Sequence, residues 1–452
     1  MGEPGVVQFP EEAIMASTTE TIRPRAFSTY AHDQEEASTS TVIVGAGIIG
    51  CATAYYLSRS PTNVHPDGRR QQIHLVEASP ELFASASGKS GGFVAEDWFG
   101  PATASLGELS FRLHQELANE HDGYKNWGYS RSTGTSLAVT DIGGKSENWM
   151  QTGGSRAQVA GTRVEHYTDG VNPAWLRKRK GDNIDMISEE GGVAQVDPLR
   201  LSQFLLRQSI LQGVTLHHPA KAIRLSTDED QKLSAIRIQH ANGSEHRIPC
   251  TRLLIAAGAW TPKVFSTLFP TTDLSVPVSP YAGHSLVVRS PRWTKEAEAK
   301  GCHAVFTSMP NGWSPEIFSR VGEEIYIAGL NSSSMPLPEL PTDAQLDPAS
   351  VEELKTVTKQ LVGDDMKVVR EGLCFRPVTK SGNPILARVQ DQALGENIAT
   401  RGAGSGGVFL CAGHGPWGIS QSLGTGKVMS EMLEGRDVDS RLSADIRRLG
   451  IR

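Results

Sequence analysis

The stretch Thr41–Ser58, TVIVGAGIIGCATAYYLS, decides the reading of this chain. Thr41, Val42, Ile43 and Val44 are β-branched and favour a short strand. Gly45-Ala46-Gly47-Ile48-Ile49-Gly50 then turns the chain, and an apolar helix runs on through Ala54 and Leu57. In a dinucleotide-binding turn the first glycine permits the bend, the second lets backbone approach a pyrophosphate, and the third lets helix and strand pack closely. The helix N-terminus adds free N–H groups and the positive end of its dipole. One such pattern is weak in a chain with 46 glycines, and its surroundings strengthen it. A second strand, Ile73–Val76, ends in Glu77, where a carboxylate is placed to hold a ribose hydroxyl; the polar insert Pro61–Gln72 lengthens the usual spacing of about 20 residues. The uncharged run Val42–Leu57 falls short of the roughly 18 residues of a membrane span and is broken by glycines.

With 452 residues the chain can bury a large core and divide into two domains or two lobes. Its hydrophobic share of 38%, charged share of 21% and mean hydropathy of −0.29 are those of an ordinary globular protein. A formal net charge of −6 gives no electrostatic reason to expect nucleic acid or an anionic membrane as partner. The five cysteines, Cys51, Cys250, Cys302, Cys374 and Cys411, have no CxxC spacing, which argues for reduced intracellular thiols and against a disulfide framework or a metal site. Met1–Ser40 mixes Glu, Thr, Ser and Pro without apolar period and reads as a flexible tail. Glu3, Glu11, Glu12 and Glu20 oppose a transit peptide, no secretory apolar segment is present, and LGIR is not a peroxisomal address, so a cytoplasmic location is expected.

Beyond Glu77, Ala84–Phe93 is a loop of small residues that either lies flat on a ligand or simply covers the surface. Leucines at 106, 109, 113 and 117 form a helical stripe, and Asp197-Pro198 opens a second helix. Gly213–Leu225, Leu233–His240 and Ser244–Cys250 read as a three-stranded meander. Leu253–Trp260 is a buried strand meeting Gly258 before Thr261-Pro262 starts a helix. Pro277–Leu330 alternates in short β-like runs, Ser332–Pro348 is loop-like, and a helix is expected from about Val351 to Leu361. Val408–Ala412 is a strand running into Gly413-His414-Gly415-Pro416-Trp417-Gly418-Ile419, with a helix from Ser420, a second place where a helix N-terminus can point at a ligand.

Together GAGIIG, SGKSGG, LLIAAGAW, CFRPVTKSGNPI and AGHGPWGISQSLGTGK resemble the D-amino-acid oxidase-like (DAO) family of FAD-dependent oxidoreductases, in family order from Thr41 to Gly435. The last motif is similar to bacterial D-amino-acid dehydrogenases, and the whole looks like fungal oxidoreductases of the family. The resemblance implies an α/β fold with a discontinuous Rossmann-like FAD-binding domain, residues 41–135, 190–265 and 366–440, and a second, mostly antiparallel β-rich substrate domain, residues 136–189 and 266–365, with tails at 1–40 and 441–452. It places Gly45, Gly47, Ile49 and Gly50 against the pyrophosphate, Glu77 and Ala78 at the adenosine ribose, and Ser87, Ser90 and Gly91 along the phosphate-to-flavin stretch. Ala222 would offer backbone to adenine, Ala257 and Gly258 would approach the cofactor, and His414, Gly415, Trp417, Gly418 and Ile419 would close over the ring.

By the same resemblance, an amine substrate loses hydride from its α-carbon to flavin N5, and no charged triad or metal is needed. Arg376 matches the position that grips the substrate carboxylate, its alternative being a structural arginine paired with an acidic neighbour. Tyr281 and His284 match a segment beside the flavin, or serve an ordinary strand. Cys374 sits where some relatives link flavin covalently, or is a buried inert thiol. The reading is an enzyme oxidising the C–N bond of a small secondary amine or D-amino acid; the competing one is a flavin-binding protein with a non-catalytic cellular role such as trafficking. An NAD-dependent dehydrogenase would leave the later glycine motifs without a task.

Overall fold

The computed structural model describes residues 39–63, 70–138, 156, 172–178, 182–188, 191–308, 314–402, 404–437 and 442–451, and the expected N-terminal tail lies outside them up to residue 38. Ser40–Val44 is the strand expected at the opening motif, buried along its whole length. It pairs in parallel with Gln72–Val76 on one side and Arg252–Ile255 on the other. The six-stranded sheet runs in the order Ile385–Val389, Gly407–Ala412, Arg252–Ile255, Ser40–Val44, Gln72–Val76, Thr215–His217. Only Ile385–Val389 is antiparallel to its neighbour. Parallel strands are near-continuously apolar because both faces are covered, which matches Leu253, Leu254 and Ile255 at 0% exposure.

Helix Ile48–Arg59 follows the glycine turn and packs on helix Ser422–Leu433. Small residues permit that approach: a Cβ on Gly426 would lie 2.6 Å from the Ala52 Cβ. The Asp197-Pro198 signal opens helix Pro198–Leu211, and the Asp197 side chain accepts from the Arg200 N–H at 3.1 Å, a cap worth about 1 kcal/mol. Buried Arg252 ties the sheet together, donating to Thr41 Oγ1 at 2.8 Å and to the Leu433 carbonyl at 3.0 Å.

A second sheet carries Lys367–Val378, Ser279–Arg289, Glu324–Ser332, Glu316–Arg320, Cys302–Ser308, Ser130–Ala138, Val193–Gln195 and Phe93–Ala95 in that order, with Asn183–Ser188 also pairing Ser130–Ala138. Its pairs are antiparallel except Cys302–Ser308 with Ser130–Ala138. The two sheets bring the segments at 85–91 and 374–376 into one cavity, described below.

Three elements differ from the sequence expectation. Gly213–Leu225 is two strands: Thr215–His217 extends the parallel sheet, and Ala220–Thr227 starts the meander. The break falls at His218-Pro219, where proline has no N–H for a ladder. The helix expected from about Val351 spans Pro348–Val362, capped by Asp347 four residues ahead of the apolar period. The last helix begins at Ser422, after a separate turn of 3-10 helix at Gly415–Trp417.

Candidate functional site

Three strand ends converge on Gly45, and this is why glycine stands there. Its φ is +106°, its N–H donates to the Val76 carbonyl at 2.8 Å, and a Cβ would lie 2.6 Å from the Ala256 carbonyl oxygen. Gly47 caps helix Ile48–Arg59, whose first N–H, on Ile48, donates to Ser87 Oγ at 2.9 Å. The loop after the second strand is thereby fastened to the glycine turn. Gly50 does what the third glycine of such a turn does: a Cβ there would sit 2.0 Å from the Gly45 carbonyl oxygen, so Gly50 packs the turn from behind, and it is not among the residues that line the cavity.

That cavity, about 350 Å³, is lined by Gly45, Gly47, Ile49, Glu77, Ala78, Ser87, Ser90, Gly91, Ala222, Ala257, Gly258, Cys374, Arg376, His414, Gly415, Gly418 and Ile419 among others. Glu77 accepts from the Ala46 N–H at 3.0 Å and the Ser79 N–H at 2.9 Å. Burial pushes its carboxyl up from the ordinary range, and those two N–H bonds oppose the shift. Gly258 adopts φ +56°, with no atom within 4 Å of an ideal Cβ, so the third strand ends against open space.

The Ser90-Gly91 loop is held by a residue that motif reading missed. Arg320, 1% exposed, donates to the Gly91 carbonyl from Nε at 3.0 Å and to the Ser90 carbonyl from Nη2, while Gln195 Nε2 reaches the Gly91 carbonyl at 2.5 Å. A Cβ on Gly91 would strike the Phe318 ring at 2.4 Å. The signal was present in strand Glu316–Arg320: period-two alternation puts Glu316, Phe318 and Arg320 on one face, and charged residues on a buried face call for partners.

At the far end Arg376 Nη1 donates to Asn331 Oδ1 at 2.6 Å. Its guanidinium lies across Gly283, where a Cβ would come within 2.0 Å of Nη1. Tyr281 stands directly opposite Arg376, but does not line the cavity. His284 is opposite Leu373 on the other face, 3% exposed, accepting from the Asp347 N–H at 3.1 Å. Strand alternation therefore removes His284 from the site, a distinction the sequence pattern could not make without knowing which face is inward. Trp417 is also outside the lining and packs edge-on against Phe99 and Trp98.

Arg156, Glu316, Phe318 and Tyr326 complete this end. Arg156 and Glu316 form a two-point ion pair, Nε to Oε1 at 2.8 Å and Nη2 to Oε2 at 2.9 Å, with the guanidinium over the Trp417 ring at 4.6 Å. Burial pushes the Tyr326 hydroxyl up to about 12, so it remains a donor at neutral pH. His414, 2% exposed, meets Thr425 Oγ1 at 3.1 Å, and burial lowers it to about 4, leaving a neutral imidazole. A strap borders the cavity through Glu339, Leu340 and Pro341; Glu339 pairs with Lys221 and Lys263, and Trp260 Nε1 donates to the Pro338 carbonyl at 2.8 Å. Among the described residues no group of three or more His, Cys, Asp or Glu is placed to hold a metal ion, and no helix is long and apolar enough to cross a membrane.

Comparison with known proteins agrees with this construction. Residues 40–432 match the family model described as DAO, FAD dependent oxidoreductase. A protein of Schizosaccharomyces pombe named "Putative oxidoreductase C1F5.03c" is 28% identical over 418 residues, covering 88% of this chain and 94% of its own length. Glycine oxidase from Geobacillus kaustophilus has the same fold, with a TM-score of 0.67 at 20% identity over 92% of this chain and 98% of that one. Iminodiacetate oxidase from Chelativorans sp. BNC1 follows at a TM-score of 0.62 and 19% identity, covering 91% and 98%. The residues present fit FAD: a glycine turn at a helix N-terminus suits a pyrophosphate, the braced Glu77 suits a ribose, and the open space beside Gly258 would be filled by any larger side chain.

Proposed function

The chain belongs to the DAO family of FAD-dependent oxidoreductases, and from that premise we propose that it oxidises a C–N bond of a secondary amine or D-amino acid whose carboxylate is held by Arg376. The observation that carries this reading is one cavity lined both by the dinucleotide turn and by the Arg376 guanidinium. Glycine and iminodiacetate, after which two structures of the same fold are named, are both amine-bearing carboxylates. Bound FAD supplies the acceptor for the hydride that leaves the substrate carbon.

The chain's own residues bind and orient. Gly45, Gly47 and Ile49 present backbone to the pyrophosphate, Glu77 and Ala78 hold the ribose, and Ala222 borders the adenine. Ser87, Ser90, Gly91, Ala257 and Gly258 flank the middle of the cofactor, while His414, Gly415, Gly418 and Ile419 border its ring. Asn331 fixes one edge of the Arg376 fork, leaving other N–H groups for a bidentate carboxylate. That grip sets which substrate C–H bond faces the acceptor, and alignment of this kind is a large part of the rate. Neutral His414 adds no charge beside the ring, and Tyr326 offers a hydroxyl donor. In this proposal the six-stranded sheet and its helices form the cofactor lobe and the nine-stranded sheet the substrate lobe, although Phe93–Ala95, Val193–Gln195 and Lys367–Val378 of that sheet fall in the ranges that the resemblance gives to the cofactor domain.

Anaerobic addition of a panel of secondary amines and D-amino acids to the flavin-loaded protein tests the proposal. Bleaching of the flavin band by a member of the panel is expected. No bleaching by any of them overturns it in favour of a flavin-binding protein with a non-catalytic role such as trafficking.

A further inference from the structure

The Arg376 end of the cavity holds more charge than a single carboxylate requires. Arg376, Arg156 and Glu316 all line it. The Arg156 and Glu316 side chains are only 7% and 12% exposed, and the Arg156 guanidinium rests on the Trp417 ring. Taking such a pair out of water is costly, and apolar residues of the same volume commonly stabilise a fold as well or better. A buried ion pair that faces a cavity is therefore poorly explained by stability and well explained by a ligand. Arg376 and Arg156 lie within electrostatic reach of each other, and Glu316 acts on both.

The charges can be matched group by group. Two guanidiniums and one carboxylate leave one net positive charge. An amino acid with one carboxylate engages only one of the two guanidiniums. A substrate with two carboxylates and an amine complements each protein group separately.

We propose that the site takes an amino- or iminodicarboxylate, with one carboxylate on Arg376, the second on Arg156 and the amine nitrogen beside Glu316. This rests on the reading that the cavity receives an amine-bearing carboxylate next to FAD. Glu316 then serves as a specificity residue: it bonds the nitrogen of the proper substrate, and in its absence it occupies Arg156 and discourages dicarboxylates that lack an amine.

The test uses the flavin-loaded enzyme without oxygen and two secondary amines that differ by one carboxylate, iminodiacetate and N-methylglycine. Half-saturation of the change in the flavin band is expected at a concentration at least about tenfold lower for iminodiacetate, since a charge-assisted bidentate contact is added. Arg156→Met should abolish that preference while FAD content is retained. Glu316→Gln should have the opposite sign for succinate, which has no ammonium: with Arg156 released, succinate should perturb the flavin band at a lower concentration than in the unsubstituted enzyme. A merely structural ion pair would not strengthen any ligand when broken. Equal half-saturation by the two amines, survival of the preference in flavin-loaded Arg156→Met, or no tightening of succinate by Glu316→Gln overturns the proposal. If Arg156→Met fails to fold, the succinate titration decides. A spectral preference for dicarboxylates without bleaching by any amine would sink the oxidation reading and leave the dicarboxylate site standing; bleaching by N-methylglycine as readily as by iminodiacetate would do the reverse.

Discussion

The two ends of the cavity are built on different principles. The dinucleotide end consists mainly of backbone: Gly45 at φ +106°, the Ile48 N–H at a helix start, and strand ends brought together by parallel pairing. Its turn is encoded in the consecutive residues Gly45 to Gly50, and glycine is needed where three chain segments meet. The other end consists of side chains: Glu316, Tyr326, Asn331 and Arg376, on strands joined by the second sheet, and Arg156, which is on none of them. Backbone sites tolerate any side chain pointing away from them and fail when a Cβ intrudes; side-chain sites keep their shape on truncation and lose a charge.

The strongest attack on that contrast is Gly45→Val. A side chain so close to the Ala256 carbonyl, at a φ that costs on the order of 1–3 kcal/mol, should yield protein with little bound FAD and a lowered melting temperature. Normal flavin absorbance in this variant would contradict the backbone account. Arg376→Met should do the opposite, keeping FAD while weakening a carboxylate probe such as benzoate about 100-fold, the scale of a lost charged contact; flavin difference spectra would read it.

Acid strains both ends together. His74, on the strand leading to Glu77, and His414, beside the substrate end, are each lowered to about 4 by burial, from an ordinary value of 6.5. Between those values the unfolded chain binds more protons than the folded one, so stability is lost as pH falls from 6.5 toward 4. Melting temperature should drop through this window, and a flat profile would refute neutral buried imidazoles. Gly283→Ala sharpens the substrate side: the added methyl displaces the Arg376 guanidinium, which should weaken benzoate about tenfold with FAD retained. The smallest effect belongs to Glu339→Ala on the strap. Its partners Lys221 and Lys263 are about half exposed, so the loss should be under about 1 kcal/mol, visible at most as slightly faster release of FAD fluorescence on dilution.

Legibility follows the same division. The glycine turn, Glu77, the capped helix at Asp197 and the strand at Leu253 were readable because each is a local pattern with a local cause. Gly50 carries both a packing reading and, by resemblance, a cofactor one; the Gly45 carbonyl that passes it accounts for the packing, and both uses ask for glycine. That His284 serves its strand and that Trp417 lies outside the cavity lining is not legible in the sequence, because a strand pattern does not say which face is inward, and a loop residue beside a glycine can turn either way. Arg320 and the Arg156–Glu316 pair were missed because their partners, Gly91 and each other, are far away along the chain.

The sequence by itself determined the cofactor and the order of the elements that hold it, since a dinucleotide turn is encoded in consecutive residues with fixed backbone demands. Tertiary structure decided which charges face the cavity. Antiparallel pairing sets Tyr281 against Arg376 and Gly283 against Cys374, and only that register opens the space into which a guanidinium can lie.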